Sequence, residues 1–379
     1  MSTDKIRIGI VGLKPGESWA GIAHVPALQS MPETFAITGV ANSRLESSRL
    51  AAEAVGIPHA FANAQALIDS PEIDAVTVTI TVPQHLEVVK AALAAGKHIY
   101  CEAPLGNGLA EAEEMAALAR DKPGVTVVGL QARVAPEILY LRELLSEGYV
   151  GRVLSSSLRG WAGNWGPTAG NLKRLGYLLD KRNGATMLTI PLAHTLAGLR
   201  DVLGDVTEVS ALLDTRVPEV RSEDDGSLLR MTAPDQILLT ARLESGAPLS
   251  VHFQGGMPNG TEGLVWDIHG TDGDLRVTAP LRPQPDGATR HCRRQIRFRR
   301  AATDADAVSI LRRCAGGAHS RQRGPQLRTY GAGHPHRQRE CIELRRRSGP
   351  AAADRCDRTL GRNRFAHHPR GVEPPPADA

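Results

Sequence analysis

The stretch richest in chemistry is "GIVGLKPGESWAGIAH", residues 9–24, which leaves a run of apolar, branched side chains. Gly9 and Gly12 sit where backbone N–H groups and a helix N-terminus could close on an anion, as the pyrophosphate of a dinucleotide requires. A third glycine is missing from its usual place, because "KPGESWA" lengthens the loop. By spacing alone the motif is weak, and a tight turn without a ligand reads the same way. The next piece is "VANSRLESS". An acidic side chain there would hold the 2′-hydroxyl of an adenosine ribose, but Asn42, Ser43 and Arg44 stand in its place. The Arg44 guanidinium could pair with a 2′-phosphate, which favours NADP over NAD; its alternative is a solvated surface charge. The chemistry implied is hydride transfer to or from a nicotinamide.

These residues need a sheet to hold them. "KIRIGIVGL", "FAITGVA", "IDAVTVTI", "HIYC" and "VTVVGL" read as buried parallel strands,. Between them "RLESSRLAAEAVG", "HLEVVKAALAAG" and "LAEAEEMAALARD" read as helices. This alternation predicts an α/β fold with a doubly wound parallel sheet of Rossmann type over residues 1–149. "PEILYLRELLSEGYVG" reads as a helix closed by glycine. Residues 150–280 then change character, with strands joined by Gly-rich turns such as "ESGAP" and "GTDGDL" and one helix over about 185–202. They predict an α+β domain with an open, mainly antiparallel sheet, serving substrate binding and oligomerisation.

The chain has 379 residues, of which 41% are apolar, enough for a substantial core. No run approaches the roughly 20 apolar residues of a membrane span, and the start lacks a signal-peptide core, so a cytoplasmic protein is expected. Five cysteines at irregular spacing form neither a disulfide framework nor a zinc site, and no metal constellation exists,.

"GIVGL", "ITVPQHLEVVKAAL", "YCEAPLG" and a histidine late in "GATMLTIPLAHTLAGL" together resemble the glucose–fructose oxidoreductase / inositol dehydrogenase / rhizopine-catabolism (Gfo/Idh/MocA) family. "GESWAGIAH", "GLQARVAPEILYLRELLSEGYVG" and "VHFQGGMPNGTEGLVWDIHGTDGDL" resemble its galactose-regulon repressor branch more narrowly. The resemblance spans residues 6 to about 280 in order. It implies a nicotinamide at the C-terminal edge of the first sheet, beneath the second. Carried over by position, Gly12, Leu13, Ser18 and Trp19 line the pyrophosphate loop. Thr81, Pro83 and His85 follow the fourth strand on the adenosine side, Glu102 lies near the nicotinamide ribose, and Gln131 lies near the ring. The family handles the substrate proton with a lysine between that glutamate and the proline, and with an aspartate and a histidine spaced i, i+4. Here Ala103 replaces the lysine and Ile190 the aspartate, with Thr189 nearby on another part of the helix. His194 remains as the catalytic candidate, its ordinary pKa of about 6.5 suiting a proton acceptor; a structural helix histidine is the alternative. Trp161 and Trp165 could stack on a sugar face or pack at a sheet edge, and His252 and His269 read as cross-strand residues.

Two functions follow: an NAD(P)-dependent oxidoreductase of a sugar or polyol, or a non-catalytic NAD(P)-binding sensor or transcriptional regulator. Expected partners are a small sugar-like ligand, a second copy through the open sheet, and, in the second case, another protein. Residues 281–379 stand apart, with 22 Arg, no Lys and 9 acids, leaving 23 bases and 32 acids before them. An arginine-rich nucleic-acid-binding extension is one reading. The favoured one is a frameshift soon after Pro280, since codons can be chosen for Ser348–Phe365 whose next frame encodes an amphipathic helix. Nucleic acid and membrane are therefore not expected partners.

Overall fold

The computed structural model describes residues 5–256 and 262–280, together with the backbone of two further strands, Gln295–Arg300 and Val308–Leu311. The remainder of the expected tail, 281–379, lies outside the described residues.

In the first part, strands β1 (Ile6–Val11), β2 (Phe35–Ala41), β3 (His59–Phe61), β4 (Ala75–Val78), β5 (His98–Glu102) and β6 (Thr126–Gly129) form a sheet in the order β3-β2-β1-β4-β5-β6. Every pairing in it is parallel. The order reverses direction between β1 and β4, the switch point outside which ligands of such sheets bind. Helices α1 (Val25–Gln29), α2 (Leu45–Val55), α3 (Ala64–Ile68), α4 (His85–Ala94) and α5 (Leu109–Ala119) cover it. Two separate apolar clusters result, one around Val76, Val78, Leu93 and Met115, the other around Ile10, Val40, Ala51 and Ile57. A sheet buried on both faces explains why its strands read as unbroken apolar runs.

After α6 (Pro136–Ser146) come β7 (Val153–Ala162), β8 (Thr168–Ala169), α7 (Leu172–Leu175) and α8 (Ala193–Leu203). They are followed by β9 (Val206–Asp214), β10 (Glu219–Ser222), β11 (Leu228–Arg230), β12 (Gln236–Leu243), β13 (Pro248–Gly255), β14 (Glu262–Gly270), β15 (Asp274–Pro280), β16 (Gln295–Arg300) and β17 (Val308–Leu311). Eight of these form a second sheet, ordered β17-β16-β15-β14-β7-β13-β12-β9. It is antiparallel except where β7 runs parallel to β13, so the sheet is mixed. The expected hairpin turns are present between β12 and β13 and between β14 and β15. A small sheet, β11-β10-β8, was not legible in the sequence, its strands being too short to show a period.

Along β7, Ser156, Leu158, Gly160 and Ala162 are buried, while the alternating residues face outward. The buried face joins Leu141 of α6 and Leu199 and Val202 of α8 in one core. Trp165 belongs there too, its Nε1 donating to the Leu178 carbonyl at 3.1 Å, so it cannot stack on a ligand. His252 and His269 are cross-strand residues, beside Gln236 and Asp274 respectively. The single helix expected over about 185–202 is in fact two pieces. A π-helical turn, Leu188–Leu192, contains Pro191 and runs into α8.

The two central strands are pinned at the end away from the switch point. Arg7 donates from Nη2 to Asp74 Oδ1 at 2.6 Å, and from Nε and its own N–H to Oδ2 at 3.0 and 2.8 Å. The Arg7 bonds hold the Asp74 carboxyl below its usual range. A lowered folded-state pKa means that the stabilisation is fully present above the unfolded value of about 4 and is lost as pH falls through the folded value. Asp74→Asn should therefore cost about 1 kcal/mol at pH 7, a modest figure because the pair is a third exposed,. In urea unfolding, the gap between wild type and variant should narrow at pH 3.

Candidate active site at the switch point

β1 ends at Val11, and the chain turns at Gly12, with φ +97°. A methyl group there would lie 3.0 Å from the Thr79 carbonyl oxygen and 2.8 Å from Ile80 Cγ2. Only glycine allows the loops after β1 and β4 to meet so closely. Thr79 fastens them, its Oγ1 lying 2.9 Å from the Val11 carbonyl and 3.0 Å from that of Gly12.

Leu13 is buried, and its peptide is clasped by Asn42 at the end of β2. Asn42 Oδ1 accepts from the Leu13 N–H, and Nδ2 donates to the Leu13 carbonyl, both at 2.9 Å. Nδ2 also donates to the Ser47 carbonyl, and the Asn42 N–H donates to Ser48 Oγ. The Asn42 amide thus holds the loop. Ser43 and Arg44 beside it are exposed, and Arg44 makes no ion pair among the described residues.

Ser18 closes the longer insertion: its Oγ accepts from the Lys14 N–H at 2.8 Å and donates to the Lys14 carbonyl at 3.0 Å. Trp19, 42% exposed, stands where a π-helical turn, Ala20–His24, begins. Gly21 in that turn takes the part of the third glycine. A Cβ on it would lie 2.7 Å from the Lys14 carbonyl and 2.9 Å from the Gly16 nitrogen. Its distance from Gly12 hid it in the sequence. The loop is held from within: the N–H groups of Gly12, Leu13, Lys14 and Ser18 donate to Ala41, Asn42, Ser18 and Lys14.

Around the edge, Thr81 and Pro83 are exposed in a 3₁₀ turn after β4. His85 is buried; Nε2 lies 3.1 Å from the Ile80 carbonyl, and Nδ1 lies 3.1 and 3.2 Å from those of Pro104 and Leu105. It therefore knits two loops together rather than facing the cleft. Glu102 ends β5, followed by the half-buried Ala103 and a cis peptide to Pro104. Burial first, and then Glu102, push the Tyr100 hydroxyl and the Cys101 thiol up to about 12, so both stay protonated. His24, which sequence reasoning did not single out, lies with Nε2 2.6 Å from Glu102 Oε1.

Gln131 is exposed at the start of a 3₁₀ turn, Gln131–Val134, that leaves β6. α8 packs on this turn, and His194 in its first turn is half-buried. Arg133 locks the junction by donating to both carboxylate oxygens of Asp201, at 2.8 and 3.0 Å. Asn107, beyond the Pro104 turn, donates to the Arg182 carbonyl at 3.0 Å and packs on Gly184. Thr189 is tied to the same segment: its Oγ1 accepts from the Thr186 N–H at 2.8 Å and donates to the Gly184 carbonyl. Gly12, Glu102 and Gln131 thus stand at the C-terminal ends of strands of one parallel sheet, and α8 packs on the turn that begins with Gln131. The structure leaves Ala103 and Ile190 without chemistry.

Known proteins share this arrangement. Residues 6–130 match the oxidoreductase family with an NAD-binding Rossmann fold, GFO_IDH_MocA, and residues 136–279 match the Gal80p C-terminal domain. The chain is 31% identical to the galactose/lactose metabolism regulatory protein GAL80 of Kluyveromyces lactis, over 73% of its own length. It spans 64% of that relative, just under two thirds. The solved structure of that regulator superposes with a TM-score of 0.71 at 27% identity, covering 82% of this chain and 78% of the other. The dehydrogenase aclE of Aspergillus oryzae is 32% identical, covering 73% of this chain and 77% of the relative. Levoglucosan dehydrogenase, solved with NADH and L-sorbose, superposes with a TM-score of 0.66 at 25% identity, covering 81% and 80%.

Replacing Asn42 by alanine strips both hydrogen bonds from the buried Leu13 peptide. The unfolding free energy should fall by about 1–3 kcal/mol, read as a lower denaturant midpoint.

Proposed function

The chain belongs to the Gfo/Idh/MocA oxidoreductase family, whose NAD-binding Rossmann fold it carries, and from that premise we propose that it oxidises or reduces a sugar or polyol with NADP or NAD. The observation that supports this reading is the fastening of α8, the helix that carries His194, to the Gln131–Val134 turn after β6. Gly12, Leu13, Ser18 and Trp19 would line the loop against the pyrophosphate. Thr81 and Pro83 flank the adenosine, with His85 bracing their turn from beneath. Glu102 accepts from the nicotinamide ribose, and Ala103 and Gln131 border the ring. Bound there, the nicotinamide gives or takes the hydride. His194 takes the hydroxyl proton, the task for which an imidazole is the commonest side chain.

Asn42 positions the loop, and the exposed Arg44 pairs with a 2′-phosphate, so NADP is preferred over NAD. The division at residues 149 and 150 falls between Gly148 and Gly151, both with positive φ. The outward face of the second sheet forms a groove of about 550 Å³ lined by Arg159, Ser210, Leu238 and His252, and a second copy of the chain packs there.

A second reading has its own support. Ala103 and Ile190 are apolar where the family keeps proton-handling groups, and the second part matches the Gal80p domain. On that reading the chain binds cofactor and sugar as a sensor and acts through a protein partner.

Purified protein mixed with NADP or NAD and a sugar panel, followed at the absorbance of the reduced cofactor, separates the two. Turnover on one sugar supports the enzyme. Tight cofactor binding with no turnover on any sugar overturns it in favour of the sensor. His194→Ala should lower kcat by about 10²–10⁴-fold with unchanged cofactor affinity. Arg44→Ala should weaken NADP about tenfold in titration while sparing NAD.

A further inference from the structure

The π-helical turn Ala20–His24 ends on an imidazole that meets a carboxylate 78 residues away. His24 Nε2 lies 2.6 Å from Glu102 Oε1, and each side chain is only 13% exposed. The imidazole edge rests on Tyr100, with ring centroids 5.1 Å apart at 81°. Glu102 is confined on another side as well, since a Cβ on Gly129 would lie 3.0 Å from its Oε1. Oε2 accepts no hydrogen bond among the described residues. The neighbouring residue, Ala103, brings only a methyl group.

We infer that His24 is a positioning residue: by holding Oε1 it fixes the Glu102 rotamer so that Oε2 is presented to the ribose hydroxyls on the nicotinamide side. A glutamate has three side-chain torsions, and freezing them before the ligand arrives removes an entropic cost from binding. The contact reaches from the turn after the glycine loop to the end of β5, where it acts on the Glu102 side chain alone. This rests on the reading that a dinucleotide lies along this edge.

The experiment uses the full chain and compares ADP, which ends before the second ribose, with ADP-ribose, which contains it, by calorimetry. Wild type should prefer ADP-ribose. His24→Leu should cut that preference about tenfold while leaving ADP affinity unchanged. His24→Gln, whose amide can reach Oε1, should restore it, and His24→Asn, with the same amide on a shorter stem, should not. A preference untouched in the leucine variant, or an equal loss for both ligands, overturns the assignment. Should the leucine variant fail to fold, the glutamine and asparagine variants decide between them, equal behaviour counting against it. Failure of the unmutated chain to bind either ligand overturns the functional reading itself, together with this inference.

Discussion

The site depends on the missing side chain at residue 12. Two loops from either side of the switch point meet there at van der Waals distance, and a single methyl group would drive them apart. Once Gly12 permits that approach, ordinary hydrogen bonds complete the loop: Thr79 to the carbonyls of Val11 and Gly12, and Asn42 to both ends of the Leu13 peptide. The Thr79 bonds could not form with the loops separated. The backbone geometry therefore exists before any ligand, which is what preorganised binding requires.

Much of this was legible in the sequence, and for a physical reason. A strand buried on both faces must be apolar throughout, so β1, β2, β4 and β5 announce themselves, and the strand–helix alternation then fixes a parallel sheet. Gly9 and Gly12 were visible in the sequence as the end of a strand and a tight turn, although that spacing reads the same way with or without a ligand. Gly21 was not, since a longer insertion separates it from its partners and only the folded loop brings it against Lys14. His24 was invisible for a related reason. Nothing local in "GIAH" marks a histidine whose partner is Glu102, and a contact over such a separation is a product of topology rather than of spacing.

Asn42 and His85 show a subtler limit. Asn42 was a candidate for touching the cofactor because it ends the second strand, and His85 because of the family resemblance. Their polar atoms are spent on backbone groups, Asn42 on Leu13 and Ser47, His85 on the carbonyls of Ile80, Pro104 and Leu105. Buried backbone groups must be satisfied, and loops bent to receive a ligand leave many unpaired by secondary structure. Residues around such a site are therefore recruited as much to hold the loops as to touch what lies between them.

The helix carrying His194 raises the question of what remains when catalytic neighbours are lost. The i, i+4 spacing that makes Ile190 the counterpart of an aspartate assumes 3.6 residues per turn. The π-helical turn Leu188–Leu192 is wound more loosely, its hydrogen bonds running from i+5 to i, as from the Leu192 N–H to the Met187 carbonyl at 3.1 Å,. The residue one turn before His194 is thus shifted towards Thr189. Its hydroxyl is already spent on Thr186 and Gly184, and so cannot replace the aspartate. At the end of β5, by contrast, Glu102 and His24 stand as a carboxylate–imidazole pair. The glycine loop and the end of β5 are built from polar and backbone contacts, whereas Ala103 and Ile190 bring only apolar side chains. Binding is accordingly the property on which both functional readings converge, and turnover is the property that divides them.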